Sequence, residues 1–316
     1  MSVPTTRDVL DHAPLRFIVG PTASGKTALA LALCERLGAE VVSLDSMLVY
    51  RGLDIGTAKP TAAERAAVPH HMLDLVEPSE RFDVQRYLNE LRGTLADLER
   101  RRVPALLVGG TGFYLAAVLR GLFEGPPVDP EVRAQLERRA QEVGPEALHA
   151  ELSALDPVSA ARLHPNDVRR VVRALEVAAQ TGRTLSDWQR EWGSGPGPRE
   201  TRARLIGLEV PTDELDRRIR ARTAAMLDAG WREEALRVRS DPGFGPSAIQ
   251  ALGYPEVLAW ADGAATRAET EALIALRTRQ FARRQRTWYR KFAIHWLPVD
   301  APDLVERACA CLDPAT

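Results

Sequence analysis

The sequence predicts an α/β fold, with a parallel sheet core, an inserted all-helical module and a helical C-terminal region. Three observations carry this. Short apolar runs alternate with helix-forming stretches from the N-terminus to about residue 125. The octapeptide "GPTASGKT" at 20–27 joins one such run to an alanine- and leucine-rich stretch. Between "GPPVDP" (125–130) and "GSGPGP" (193–198) nearly every residue favours helix. Alternating strand and helix patterns signal parallel βαβ units. Clustered proline and glycine mark the boundaries.

The elements follow in order. Phe17, Ile18 and Val19 form a short apolar run, as a buried parallel strand would. Gly20 and Gly25 permit a tight loop with its N–H groups turned inward, Lys26 supplies a cation, and Thr27 offers a hydroxyl to Mg²⁺. The helical run behind them puts the loop at a helix N-terminus, which favours anions. The spacing G-x4-G-K-T, with a strand before it and a helix after it, is the full P-loop pattern. The core is therefore expected to be P-loop NTPase-like, with Gly20, Pro21, Thr22, Ala23, Ser24, Gly25, Lys26 and Thr27 cradling phosphate. The bland alternative is a glycine-rich turn that binds nothing. Against it, only Lys26, Lys59 and Lys291 of the 42 basic residues are lysines, so a lysine at this position is informative.

The second strand is expected at Glu40–Leu44, with Asp45 and Ser46 just past its end. Open parallel sheets bind ligands at that edge. Asp45 could hold Mg²⁺ through water, accept a proton from a nucleophile, or merely cap a turn. Lys59, after "GTAK", is a second candidate for phosphate. The third strand, Ala105–Val108, ends in "VGGTGFYL", so Thr111 projects from the same edge on glycines that let a ligand come close. His70 and His71 precede Asp74, but adjacent histidines point apart, which favours a structural role over a metal site.

Beyond residue 126 the pattern changes. "PEVRAQLERRAQEVG", "PEALHAELSAL" and "NDVRRVVRALEVAAQTG" read as amphipathic helices, the last with Asn166 as N-cap and Gly182 as its stop. The expected organisation is 1–126 for the first part of the core, 127–198 for the inserted module with a hinge at each end, and 199–316 for the rest. In that last part "ARLIGLEV" (203–210) returns as a strand and long helices follow.

At 316 residues the chain can hold more than one domain. No apolar run approaches the ~18 residues of a membrane span, and the N-terminus has no signal-peptide core. Cys34, Cys309 and Cys311 make neither a disulfide framework nor a zinc site. A cytoplasmic monomer is expected. A net charge of −1 argues against nucleic acid, but its distribution does not. Residues 277–291, "RTRQFARRQRTWYRK", carry seven basic side chains, no acidic one, and two aromatics near the end. Such a stripe suits a phosphate backbone, or else is a solvated helix face.

Taken together and in this order, "GPTASGKT", "DSMLVYRGLDIGTAKP", "HHMLD", "VGGTGFYL", "RALEV", "ALGYPEV" and "TRQFARRQRTWYRK" closely resemble the bacterial tRNA dimethylallyltransferases. Those enzymes prenylate N6 of adenosine 37 beside the anticodon. The resemblance implies that the phosphates belong to dimethylallyl diphosphate, and that diphosphate leaves while no phosphoryl group moves. A P-loop suits this, because charge builds on the leaving group where N–H donors, Lys26 and Mg²⁺ on Thr27 await it. Asp45 matches the family's base and Thr111 a threonine near the reacting centre. Of Arg218 and Arg222, which share a helix face at i and i+4, at least one should touch diphosphate.

The tRNA contacts implied are Asp45, Ser46, Met47, Leu48, Arg133, Arg169, Arg170, Arg173, Gln250, Gly253, Tyr254, Arg283, Arg284, Gln285, Trp288 and Arg290. The partner would be the anticodon stem-loop, its target base unstacked to reach the site. The chain departs from the pattern at Leu48, where family members often have glutamine, so only the backbone there can hydrogen-bond the base. The rival readings are an ATP-dependent small-molecule kinase and an RNA-binding NTPase. Neither accounts for the strand-end motif and the C-terminal stripe together.

Overall fold

The structure, a computed structural model, describes residues 8–122, 129–191 and 197–312. It divides into two compact units, Met1–Gly121 with Gly197–Thr316, and Leu122–Pro196. The connections expected to act as hinges lie mostly outside the described residues.

In the first unit one parallel sheet is built from β1 (Arg16–Val19), β2 (Glu40–Ser43), β3 (His70–His71), β4 (Ala105–Gly109), β5 (Arg204–Glu209) and β6 (His295–Pro298). Their order is β3-β2-β4-β1-β5-β6. The α/β expectation holds. Phe17, Ile18 and Val19 of central β1 are wholly buried, which is why this strand reads as a continuous apolar run. Ile18, Val41, Leu106, Ile206 and Leu297 pack with Leu29 and Leu33 of the helix Lys26–Leu37 and with Leu312 of the helix Leu304–Leu312. The helix Val84–Arg101 buries Tyr87, Leu88, Leu91, Leu95 and Leu98, and the Tyr87 hydroxyl donates to the Ser43 carbonyl at 2.9 Å. Both edge strands escape a hydrophobicity reading. β3 is two histidines long, and in β6 only Leu297 is buried.

All strands run the same way, so the loops after β1, β2, β4 and β5 leave the sheet at one edge. Over that edge lies the helix Arg267–Tyr289. A capping box between Thr266 and Glu269 starts it. Its buried residues Ile274, Ala275, Thr278, Ala282, Gln285 and Tyr289 follow a helical period. It packs along the helix Thr212–Asp228 through Ala275, Ala282, Leu215 and Ile219.

The second unit is helical. Pro130–Val143, Pro145–Leu155 and Val168–Thr181 close around Leu148, Leu152, Val171, Val172 and Leu175. Proline opens two of these helices at a position whose N–H would go unpaired anyway. The third differs from expectation at its start. Asp167, not Asn166, occupies the N-cap position, and no side chain caps the helix. Gly182 does end it, in a left-handed conformation. No described helix is long and apolar enough to cross a membrane.

Candidate active site

The loop after β1 turns at Gly25, whose φ of +93° would strain any residue with a Cβ. The helix Lys26–Leu37 starts there and aims its unpaired N–H groups at the loop. The Lys26 amine folds back to donate to the carbonyls of Gly20 (3.0 Å) and Pro21 (2.8 Å). Burial pulls its pKa down to about 7; nearby Arg222 pushes the same way, and Asp45 opposes. Arg222 donates to the Thr22 hydroxyl. Arg218 donates to Glu214 at 2.6 Å, and its guanidinium lies where a side chain on Gly25 would reach.

Two cavities open at this edge of the sheet. One, of about 440 Å³, is walled by Thr22 through Thr27, by Arg218 and Arg222, and by an apolar side that includes Leu48, Leu73, Val108 and Phe281. The other, of about 540 Å³, is walled by Ser46, Met47, Thr111, Met226, Gln250, Arg277 and Arg284. Asp45, Thr22, Thr57, Arg222 and Phe281 line both. Asp45 thus stands where the cavity at the phosphate loop meets the wider one. Its Oδ1 accepts from the Met47 N–H at 2.8 Å, and burial, the largest influence, raises its pKa. Thr111 Oγ1 accepts from the Ser46 N–H at 3.3 Å, tying the loop after β4 to that after β2.

A clamp from the far end of the chain fixes the loops. Gln285 accepts from the Thr22 N–H and donates to the Gly110 carbonyl, both at 2.8 Å. The Tyr289 hydroxyl lies 3.1 Å from the carbonyls of Gly20 and Gly110. One helix therefore holds the phosphate loop and the loop after β4 in fixed relation.

The donor set fits magnesium. The exposed Thr27 hydroxyl has no partner among the described residues, and Asp45 is the one carboxylate among the described residues that line this cavity. No described group of three or more histidine, cysteine, aspartate or glutamate side chains could hold a metal. Magnesium needs no such cage, since it keeps waters and binds through one or two protein oxygens plus substrate phosphates.

The family model for IPP transferase matches residues 48–292, and that for isopentenyl transferase matches residues 13–74. The chain belongs to the IPP transferase family. Among its family relatives, the tRNA dimethylallyltransferase of Anaeromyxobacter dehalogenans is 47% identical over 93% of this chain and 98% of that protein. The enzyme of the same name from Deinococcus radiodurans is 46% identical over 92% and 93%. The crystal structure of a tRNA isopentenylpyrophosphate transferase from Bacillus halodurans aligns with a TM-score of 0.67 at 36% identity, covering 95% of this chain and 94% of that one. A eukaryotic dimethylallyltransferase, crystallised acting on tRNA, aligns with a TM-score of 0.77 at 27% identity, over 94% and 78%. The kinase reading finds no support in these relatives.

For this IPP transferase family member, the fold gathers Lys26, Asp45, Thr111, Arg218 and Arg222 around the two cavities. Ser46, Met47, Gln250 and Arg284 join them in the second cavity. Arg283 and Arg290 are exposed on a neighbouring face, and Trp288 is half-buried beneath the Lys291 amine, 3.9 Å from its ring. In the helical unit Arg169 and Arg170 are exposed, whereas Arg133 and Arg173 both pair with the buried Glu176 at 2.6 and 3.2 Å.

Several expectations need correction. Gln285 is buried and spends its amide on the clamp, so it does not face tRNA. Tyr254 is fully buried and donates to Glu234 at 2.6 Å; Gly253 is there because a Cβ would collide with the Trp231 ring. Leu48 lines the loop cavity and not the wider one. Lys59 cannot reach a phosphate. Its buried amine is held by the Tyr50 carbonyl, Asp54 and Asp74 at 2.6–2.7 Å. Gly109 at the end of β4 and Gly110 after it line the loop cavity and also admit protein: a Cβ on Gly109 would strike the Leu44 carbonyl, and one on Gly110 the Gln285 amide. His71 pairs with Glu40 at 2.6 Å, as a structural histidine would.

Sequence reasoning missed Phe281, Tyr289 and Glu234. The 3.6-residue burial rhythm of "TRQFARRQRTWY" carried a signal for the first two, masked by its charge. Glu234 had none, because its backbone partners lie about 180 residues away.

Proposed function

We propose that this protein transfers a dimethylallyl group from dimethylallyl diphosphate to N6 of adenosine 37 in the tRNA anticodon loop, giving N6-isopentenyladenosine and diphosphate. Prenyl transfer to tRNA is the activity of its family relatives; the donor, the target position and the residue roles are our reading. The observation that carries it is Asp45 standing at the junction of the two cavities.

The diphosphate lies in the phosphate loop against its N–H groups, with Lys26, Arg218 and Arg222 turned from their internal partners toward it. The five-carbon tail lies against Leu48, Leu73, Val108 and Phe281. Magnesium, held by Thr27 with diphosphate oxygens, would neutralise charge on the leaving group. The adenine enters the second cavity past Met47 and Gln250. As its exocyclic nitrogen bonds to the allylic carbon, the C–O bond breaks with its electron pair passing to diphosphate, and the N–H proton goes to Asp45. A raised carboxylate pKa suits that task, because a base works best near the operating pH. Arg283, Arg284 and Arg290 meet the phosphate backbone, and residues 127–198, through Arg169 and Arg170, hold the anticodon stem. The enzyme acts as a cytoplasmic monomer.

The test is one incubation of protein, Mg²⁺ and unmodified tRNA with radiolabelled dimethylallyl diphosphate or γ-labelled ATP. Label entering tRNA from the first alone is expected. Phosphate transfer from ATP without prenyl incorporation would overturn the proposal.

A further inference from the structure

Phe113 is the most exposed large apolar side chain among the described residues, at 50%. Its surroundings are specific. Phe113 lies in the first turn of the helix Gly112–Arg120, two residues after Thr111, which lines the wider cavity. Its ring centroid is 6.5 Å from that of Trp288, tilted by 58°. The pair can form because Gly112 has no Cβ; one would approach the Trp288 Cβ to 2.8 Å. One turn before Trp288, Arg284 lines the same cavity, and Lys291 caps the Trp288 ring. An open aromatic face thus stands in the turn after Thr111, which lines the cavity, with Arg284 and Lys291 near its Trp288 partner.

We infer that Phe113, backed by Trp288, is a stacking platform for the base next to the target adenosine in the anticodon loop. The inference rests on the tRNA reading above and adds a subsite to it. Extracting one base strips a stacking face from its neighbour, and that lost contact is part of the cost of flipping. An aromatic ring two residues from the cavity-lining Thr111 restores the face without reading sequence, since every base has one. The flanking cations suit the adjoining phosphates.

The experiment uses full-length protein and an anticodon stem-loop RNA with 2-aminopurine beside the target position. In the wild type, binding changes the fluorophore's emission as it stacks. Phe113→Ala is expected to abolish that change and to raise KM for tRNA about 5- to 150-fold, the range for one lost base–aromatic stack. Affinity for dimethylallyl diphosphate and the melting temperature should stay as in the wild type, because an exposed ring holds little of the fold together. Phe113→Tyr should restore binding and Phe113→Leu only part of it. An unchanged KM and fluorescence in Phe113→Ala, or full rescue by leucine, would overturn this inference while leaving the transfer reaction standing. Failure of the wild type to bind the RNA at all would overturn both.

Discussion

The side-chain oxygen of Gln285 accepts the backbone N–H of Thr22 at 2.8 Å, joining residues 263 apart in the chain. Its amide nitrogen meanwhile holds Gly110. The shape of the phosphate loop therefore depends on a helix in the last fifth of the sequence. Gln285→Ala should lower stability by about 1–3 kcal/mol, the usual cost of leaving a buried group unpaired, and raise KM for the prenyl donor. Gln285→Glu should do worse, because it sets an oxygen against the Gly110 carbonyl. Melting curves and donor titrations check both.

Asp45 is the proposed base. Asp45→Ala and Asp45→Asn should cost ~10²–10⁴-fold in kcat with tRNA affinity mostly kept. Because burial raises its pKa, the wild-type single-turnover rate should fall on acidification at a pH above the ordinary carboxylate range. Intact turnover in either variant would remove Asp45 from the role.

Lys26 gives a second pH dependence, of opposite direction. With its pKa near 7, the amine loses its proton above that pH in the free protein, whereas a bound diphosphate favours the charged form. Donor binding should therefore take up a proton above about pH 7, and affinity should fall as pH rises. Calorimetry in buffers of different ionisation enthalpy measures that uptake. Lys26→Met should abolish it.

Glu234 is buried and accepts from the N–H groups of Asp54 (3.0 Å), Ile55 (2.8 Å) and Gly56 (3.1 Å) and from the Tyr254 hydroxyl. It fixes the turn that brings Gly56 and Thr57 into the cavity walls. Glu234→Gln must point an amide at backbone donors, and should destabilise by about 2–3 kcal/mol with a raised KM for tRNA. Tyr254→Phe removes one donor only and should cost about 1 kcal/mol. Chemical denaturation compares them.

Much of this protein was legible in its sequence. Local rules determine the phosphate loop: two glycines, a lysine and a threonine at fixed spacing between an apolar run and a helical one make an anion site whatever surrounds them. The α/β class, the helical insert and the positions of Asp45 and Thr111 at the strand ends follow from equally local patterns. Tertiary structure alone decided which of the candidate side chains are available to a ligand. Lys59 and Lys26 both follow glycine turns, yet one amine is locked among carboxylates and the other faces a cavity. Gln285 and Arg284 are neighbours in a basic stripe, yet one is buried in a clamp and the other lines a cavity. A helix places adjacent residues about 100° apart, so burial is settled by what packs against each face. Here the packing partners are loops more than 170 residues away, and no short stretch of sequence could name them.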